Sequence, residues 1–207
     1  MRKQTVAILI LASAACSKPQ QPSSTTSSAA AAPAPAAPAA PAGPSSVAGK
    51  VPGYTLGAFA VIILDPKTPR EFPPPTETPV MDQMGQTFGP PVLIVRTGQP
   101  VDFRNSDDTL HNVHVTNEDT REGAFNVAIP TDGTYRYTFK KDGFYHVGCD
   151  IHPAMSAEIV ATSSPYATTA ADDGSYIFDD VAPGAYRLTV YSGGKKSESD
   201  VDVKDSR

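Results

Sequence analysis

Two short stretches of this chain carry side chains that could bind a metal and move electrons. They are Asn105-Ser106-Asp107-Asp108-Thr109-Leu110-His111-Asn112-Val113-His114-Val115 and, about 40 residues on, Tyr145-His146-Val147-Gly148-Cys149-Asp150-Ile151-His152-Pro153-Ala154-Met155. A copper ion that alternates between two oxidation states needs a soft thiolate, two imidazoles and a weak axial thioether that suits neither state fully; Cys, two His and Met meet that need. Spacing limits which histidines can work together. Side chains three apart on a strand point to opposite faces, so His111 and His114 cannot both reach one ion. For the same reason His146 cannot share one with Cys149 if its strand continues that far. His111 would point inward with Val113 and Val115. Cys149, His152 and Met155 are also three apart, so they converge only if the chain leaves the strand after Cys149 and curls, and Pro153 favours such a loop by breaking any ladder.

The elements that must position these residues are strands. Beyond Val47 no helical periodicity of useful length occurs, only short runs rich in Val, Ile, Tyr, Phe and Thr broken by Gly, Pro, Asn and Asp, which predicts an all-β fold. Tyr135, Tyr137 and Phe139 alternate with Arg136, Thr138 and Lys140, and Tyr186, Leu188 and Val190 alternate with Arg187, Thr189 and Tyr191. Each run predicts a strand with one buried face. A middle block, residues 80–162, and two flanks, residues 47–79 and 163–203, differ in their turn signals.

The short loop Cys149-x-x-His152-x-x-Met155, with Pro153 after the His, resembles the ligand loop of amicyanin and related plastocyanin-like cupredoxins. His111-Asn112-Val113-His114 resembles their upstream ligand strand, and Phe88-Gly89-Pro90-Pro91-Val92-Leu93-Ile94-Val95, then Gly98, Val101, Phe103 and Asn105-Ser106-Asp107, follow the same pattern over roughly 80 residues. The resemblance implies a Greek-key sandwich with one type 1 (blue) copper per chain. His111 is then the upstream ligand, Cys149 the thiolate, His152 the loop imidazole and Met155 the axial thioether. It also implies that the Asn112 amide braces the backbone beside the cysteine before metal arrives. Asp150 adds negative charge that should favour Cu(II) and lower the potential. The flank run Asp172-Asp173-Gly174-Ser175-Tyr176-Ile177-Phe178, then Val181-Ala182-Pro183-Gly184-Ala185-Tyr186-Arg187-Leu188-Thr189-Val190, resembles a transthyretin-like, carboxypeptidase regulatory-like sandwich. Gly49-Lys50-Val51 and Phe59-Ala60-Val61-Ile62-Ile63-Leu64 could supply its first strands. Either the middle domain is inserted in that sandwich, or the flanks are extra strands on one enlarged sandwich.

The rest of the chain speaks to setting. Residues 1–16 read as an export signal, with Arg2 and Lys3 before an apolar run and Ser13-Ala14-Ala15 before Cys16. The run is too short to span a bilayer. Its ending resembles a lipoprotein signal with Cys16 as the lipidated residue, and ordinary cleavage to a secreted protein is the alternative. Residues 17–46, almost wholly Pro, Ala, Ser, Thr and Gln, form an expected tether, which at about 30 residues could reach on the order of 90 Å in extended polyproline form. The chain has 207 residues, two cysteines and a net charge of -5, with no basic stripe to follow a phosphate backbone, so nucleic acid is not an expected partner. The expected function is single-electron transfer in the cell envelope by an anchored monomer that meets redox proteins briefly through Ile151, Pro153 and Ala154. The alternatives are copper delivery aided by Met81 and Met84, or a non-redox interaction module. A catalytic role would need further His-rich copper centres, and only His114 and His146 remain. The roles of those two and of Met81 and Met84 stay open.

Overall fold

The computed structural model describes residues 45–52, 54 and 59–204. The export signal, Cys16 and all but the last two residues of the expected tether lie outside the described residues. Among those described, every regular element is a β-strand. The N-terminal flank gives β1 (Ser45–Lys50) and β2 (Ala60–Pro66). The middle block gives β3 (Val80–Gln83), β4 (Phe88–Gly89), β5 (Val92–Arg96), β6 (Pro100–Asn105), β7 (His111–Asn117), β8 (Gly123–Ile129), β9 (Thr134–Thr138), β10 (Gly143–Gly148) and β11 (Ser156–Thr162). The C-terminal flank gives β12 (Ala167–Thr169), β13 (Ser175–Val181), β14 (Gly184–Ser192) and β15 (Lys195–Val203).

The middle strands form two facing sheets, ordered β4-β3-β6-β9 and β5-β11-β10-β7-β8. Period-two alternation sends Val101 and Phe103 of β6, Val113 and Val115 of β7, Tyr145 and Val147 of β10, and Ala157, Ile159 and Ala161 of β11 into one core. Each fully buried Val, Ile or Phe side chain among these contributes about 1.5–3 kcal/mol. Cys149 and Met155 belong to the same cluster, so two sulfur side chains are part of an otherwise apolar core.

The two flanks share sheets with each other. β1 pairs β13, and β12-β2-β14-β15 form a four-stranded sheet, so strands from both sides of the middle block close one second sandwich around Ile62, Leu64, Phe178, Tyr186 and Leu188. The unbroken apolar run of β2 has a structural cause. Ala60, Ile62 and Leu64 face that core, whereas Val61 and Ile63 face outward and meet Val160 of β11, with Val92, Ile94, Phe144 and Tyr191 packed around them. A strand covered on both faces needs no polar alternation. This also corrects the expectation for β14. Its second face is open to solvent only at Ala185 and Arg187; further along it is covered, because Thr189 is only 5% exposed and Tyr191 stacks on Phe144 with ring centroids 3.9 Å apart.

Candidate metal centre

His111 opens β7, and Cys149 follows the last residue of the neighbouring antiparallel strand β10. The chain then leaves the sheet until β11 starts at Ser156. The Met155 N–H donates to the His152 carbonyl at 2.9 Å and the Cys149 N–H to the Met155 carbonyl at 3.4 Å, which closes the curl that the threefold spacing of Cys149, His152 and Met155 requires. His111, Cys149 and Met155 are buried; His152 is half-buried.

The donor atoms converge. His111 Nδ1 and His152 Nδ1 lie 2.9 Å apart, and each is 3.9 Å from Cys149 Sγ. The His111 tautomer follows from its other side, where Nε2 lies 2.8 Å from Asp107 Oδ2. The carboxyl of Asp107 is held below the usual carboxylate range, first by the Gln86 N–H and then by His111 and the Gly85 N–H. An ionised carboxylate can only accept, so Nε2 carries the proton and Nδ1 presents a lone pair. With metal–nitrogen bonds of about 2.0 Å and metal–sulfur bonds of about 2.3 Å, one ion reaches all three donors. Two nitrogens and a thiolate, with a thioether in the same cluster, fit copper by chemistry as well as by spacing.

Asn112, next to His111 but facing the other way, braces the loop. Its Oδ1 accepts from the Asp150 N–H at 2.7 Å, the Ile151 N–H at 3.3 Å and the Cys149 thiol at 3.3 Å. Its Nδ2 donates to Asn126 Oδ1 and Asp150 Oδ2. The site is thus held by protein contacts alone.

The family profile of copper binding proteins, plastocyanin/azurin family, matches residues 77–162. Those residues are a cupredoxin domain. A second profile, polysaccharide lyase family 4, domain II, matches residues 152–207, spanning β11 of the cupredoxin domain and the C-terminal flank. Among solved structures, the chain is similar to a reduced amicyanin variant at 25% identity, covering 42% of this chain and 84% of that one, with a TM-score of 0.38. An oxidised amicyanin variant matches at 28% identity over 41% of this chain and 81% of that one, also with a TM-score of 0.38. A copper-containing nitrite reductase from Thermus scotoductus SA-01 matches at 26% identity over 47% of this chain and a quarter (25%) of that one, with a TM-score of 0.39. No curated protein matches the chain at a significant level.

Other residues singled out in the sequence lie around the cupredoxin domain. Asp150 accepts from Asn126 and Asn112 and meets His114 Nδ1 at 3.0 Å; the Asn126 amide, then His114, keeps its carboxyl below the ordinary range. Its negative charge is therefore shared with an imidazole as well as the loop. Ile151, Pro153 and Ala154 are exposed around His152, and Leu110, directly before His111, is exposed too. Met81 is buried in the core while Met84 is 64% exposed, so the Met-x-x-Met pair has no common face. His146 pairs with Glu158.

Sequence reasoning missed the role of Asp107. Asn105 bonds the Thr109 and Ile129 carbonyls and accepts the Asp107 N–H, which shapes the turn before β7. Gly85 and Gln86, at φ of 63° and 54°, aim successive N–H groups at the Asp107 carboxylate at 2.6 and 2.9 Å. An acid four residues before a ligand His was the available signal, but the partner loop 22 residues earlier has no sequence mark.

Proposed function

We propose that the cupredoxin domain binds one copper ion as a type 1 centre, through His111, Cys149, His152 and Met155, and carries single electrons between redox proteins without catalysing a reaction of its own. The observation that carries this reading is the convergence of two imidazole Nδ1 atoms on one buried thiol, with the His111 tautomer fixed by Asp107. Copper, when bound, supplies the one-electron couple. The chain's part is to keep the donors still: Asn112 and the loop's own backbone bonds hold them before and after electron transfer, so little reorganisation accompanies each event. Of His111, Cys149 and His152, only His152 reaches toward solvent, which makes its ring the way in and out for electrons. Ile151, Pro153 and Ala154 around it offer a small apolar patch suited to weak, brief encounters.

The same reading places the protein in the cell envelope as a monomer anchored through a lipid on Cys16. The copper-delivery alternative had Met81 and Met84 assisting, and their separation removes that support. The test is to reduce and reoxidise the copper-loaded protein repeatedly while a Cu(I) chelator competes. An electron carrier keeps its copper through every cycle. Rapid loss in the reduced state would instead identify a delivery protein.

A further inference from the structure

A second set of metal-type donors lies on the outer face of the five-stranded sheet, away from the copper ligands. His146 of β10 stands directly opposite Glu158 of β11 in the antiparallel register, so their side chains share that face. His146 Nδ1 is 3.1 Å from Glu158 Oε1. Glu118 follows β7 and is fixed beside them by its N–H, which donates to the Phe144 carbonyl at 2.8 Å. One donor atom from each of the three lies within 4.8 Å of the others.

The ion pair with His146 leaves part of this cluster unexplained. Glu158 Oε2 is enclosed and has no hydrogen-bond partner, although the side chain as a whole is 36% exposed. A shielded acceptor of this kind costs stability until something binds it. Burial raises the Glu158 carboxyl above the ordinary range; the His146 hydrogen bond offsets this in part, and the negative charge of Glu118 raises it again, so two carboxylates face each other with one imidazole between them. Two lysines line the cleft beside Glu118 and Glu158 without pairing with either: Lys196 Nζ bonds Glu198 at 2.8 Å and lies over the Tyr191 ring, and Lys195 forms no ion pair among the described residues. Glu118 and Glu158 also line a cleft of about 390 Å³ between the two sandwiches, which gives an ion access. Two carboxylates and an imidazole form a mixed oxygen and nitrogen set. This favours a divalent transition-type ion such as Zn(II) over Ca(II) or Mg(II), which prefer all-oxygen shells.

We propose that Glu118, His146 and Glu158 form a second divalent-metal site, of Zn(II) type, on the outer face of the cupredoxin sheet. An ion there ties the end of β7 to the β10–β11 pair, the two strands that carry the Cys149–Met155 loop.

The test uses the full chain loaded with Cu(I), which is diamagnetic, and follows its four histidines by imidazole NMR as Zn(II) is added. The His146 resonances are expected to move with saturation at one equivalent, while those of His111, His114 and His152 stay in place. His146→Ala and Glu158→Gln should each weaken Zn(II) binding roughly tenfold or more, as losses around metal sites do, while His114→Ala should leave it unchanged. Unmoved His146 resonances, equal losses in the His114 variant, or Ca(II) binding as tight as Zn(II) would each overturn the proposal. Movement of His111 and His152 alone would mark a failure of the blue-copper reading, because Zn(II) would then be entering the thiolate site. Near-UV circular dichroism confirms that each variant is folded.

Discussion

The two sandwiches are both closed by β-sheets and differ in what they bury. The flanking module is filled with Val, Ile, Leu, Tyr and Phe. The cupredoxin domain encloses Gln83, Asn105, His111 and Asn112 as well as its apolar residues, and it keeps a free thiol inside. Buried polar groups are costly unless they are hydrogen-bonded, and here Asn105, His111 and Asn112 are bonded around one point. The flanking module has no comparable arrangement among its described residues and reads as a scaffold. It covers part of the outer face of the cupredoxin sheet, where Val61, Ile63 and Tyr191 meet Phe144 and Val160, at the end of the β10–β11 pair away from the Cys149–Met155 loop.

Substitutions can sharpen or break this contrast. The largest effect is expected for Cys149→Ala, which should abolish the blue colour entirely while near-UV circular dichroism reports an unchanged fold; retained colour would sink the thiolate assignment. Asn112→Ala leaves the Asp150 and Ile151 N–H groups without their acceptor. It should cost on the order of 2–3 kcal/mol in urea unfolding of the copper-free protein and should broaden or shift the visible band. The matching change in the scaffold is Tyr186→Phe, which removes the bond from its hydroxyl to the Ala182 carbonyl at 2.7 Å. About 1 kcal/mol of stability should go, with the copper spectrum untouched. A spectral change there would show that the flanking module acts on the metal. Asp107→Asn should act on both, shifting the potential upward by removing a negative charge beside His111 and costing some stability, because the amide offers one acceptor oxygen to the three N–H groups that the carboxylate holds.

The smallest effects concern pH, and their signs are opposed. Arg104 holds the Asp82 carboxyl below the ordinary range, and Arg136 does the same for Asp102. Carboxyls depressed in the folded state stabilise above their unfolded values, and that contribution is lost as pH falls through the depressed ones. Both pairs lie near the surface, so the loss in acid should be modest. Glu158 is raised, chiefly by burial, so it opposes folding at neutral pH and stops doing so as pH drops through its raised value. Glu158→Gln should therefore gain most over the parent protein near neutrality and nothing in acid, a trend that unfolding midpoints across pH would reveal.

Much of this was legible in the sequence because it is encoded locally. Alternation in Tyr135-Arg136-Tyr137 gave a strand, and the spacing of Cys149, His152 and Met155 required a loop where the chain does leave the sheet. The inward direction of His111 and the outward direction of His114 followed from strand period alone. What was not legible depends on contacts between distant segments. The covered end of the second face of β14, at Thr189 and Tyr191, exists because another sheet lies on it, and no local pattern marks Thr189 as enclosed. Asp107 became a positioning residue only when the Gly85-Gln86 turn came to meet it. The gathering of Glu118, His146 and Glu158 likewise required three strands in register.

The most direct test of the central claim is the absorption and electron paramagnetic resonance spectrum of the full chain carrying one equivalent of Cu(II). An intense visible thiolate band with narrow copper hyperfine splitting, both lost in Cys149→Ala, is the predicted result. A pale complex with wide splitting, the same with and without the Cys149 thiol, would contradict the account and leave a cupredoxin fold whose copper binds elsewhere.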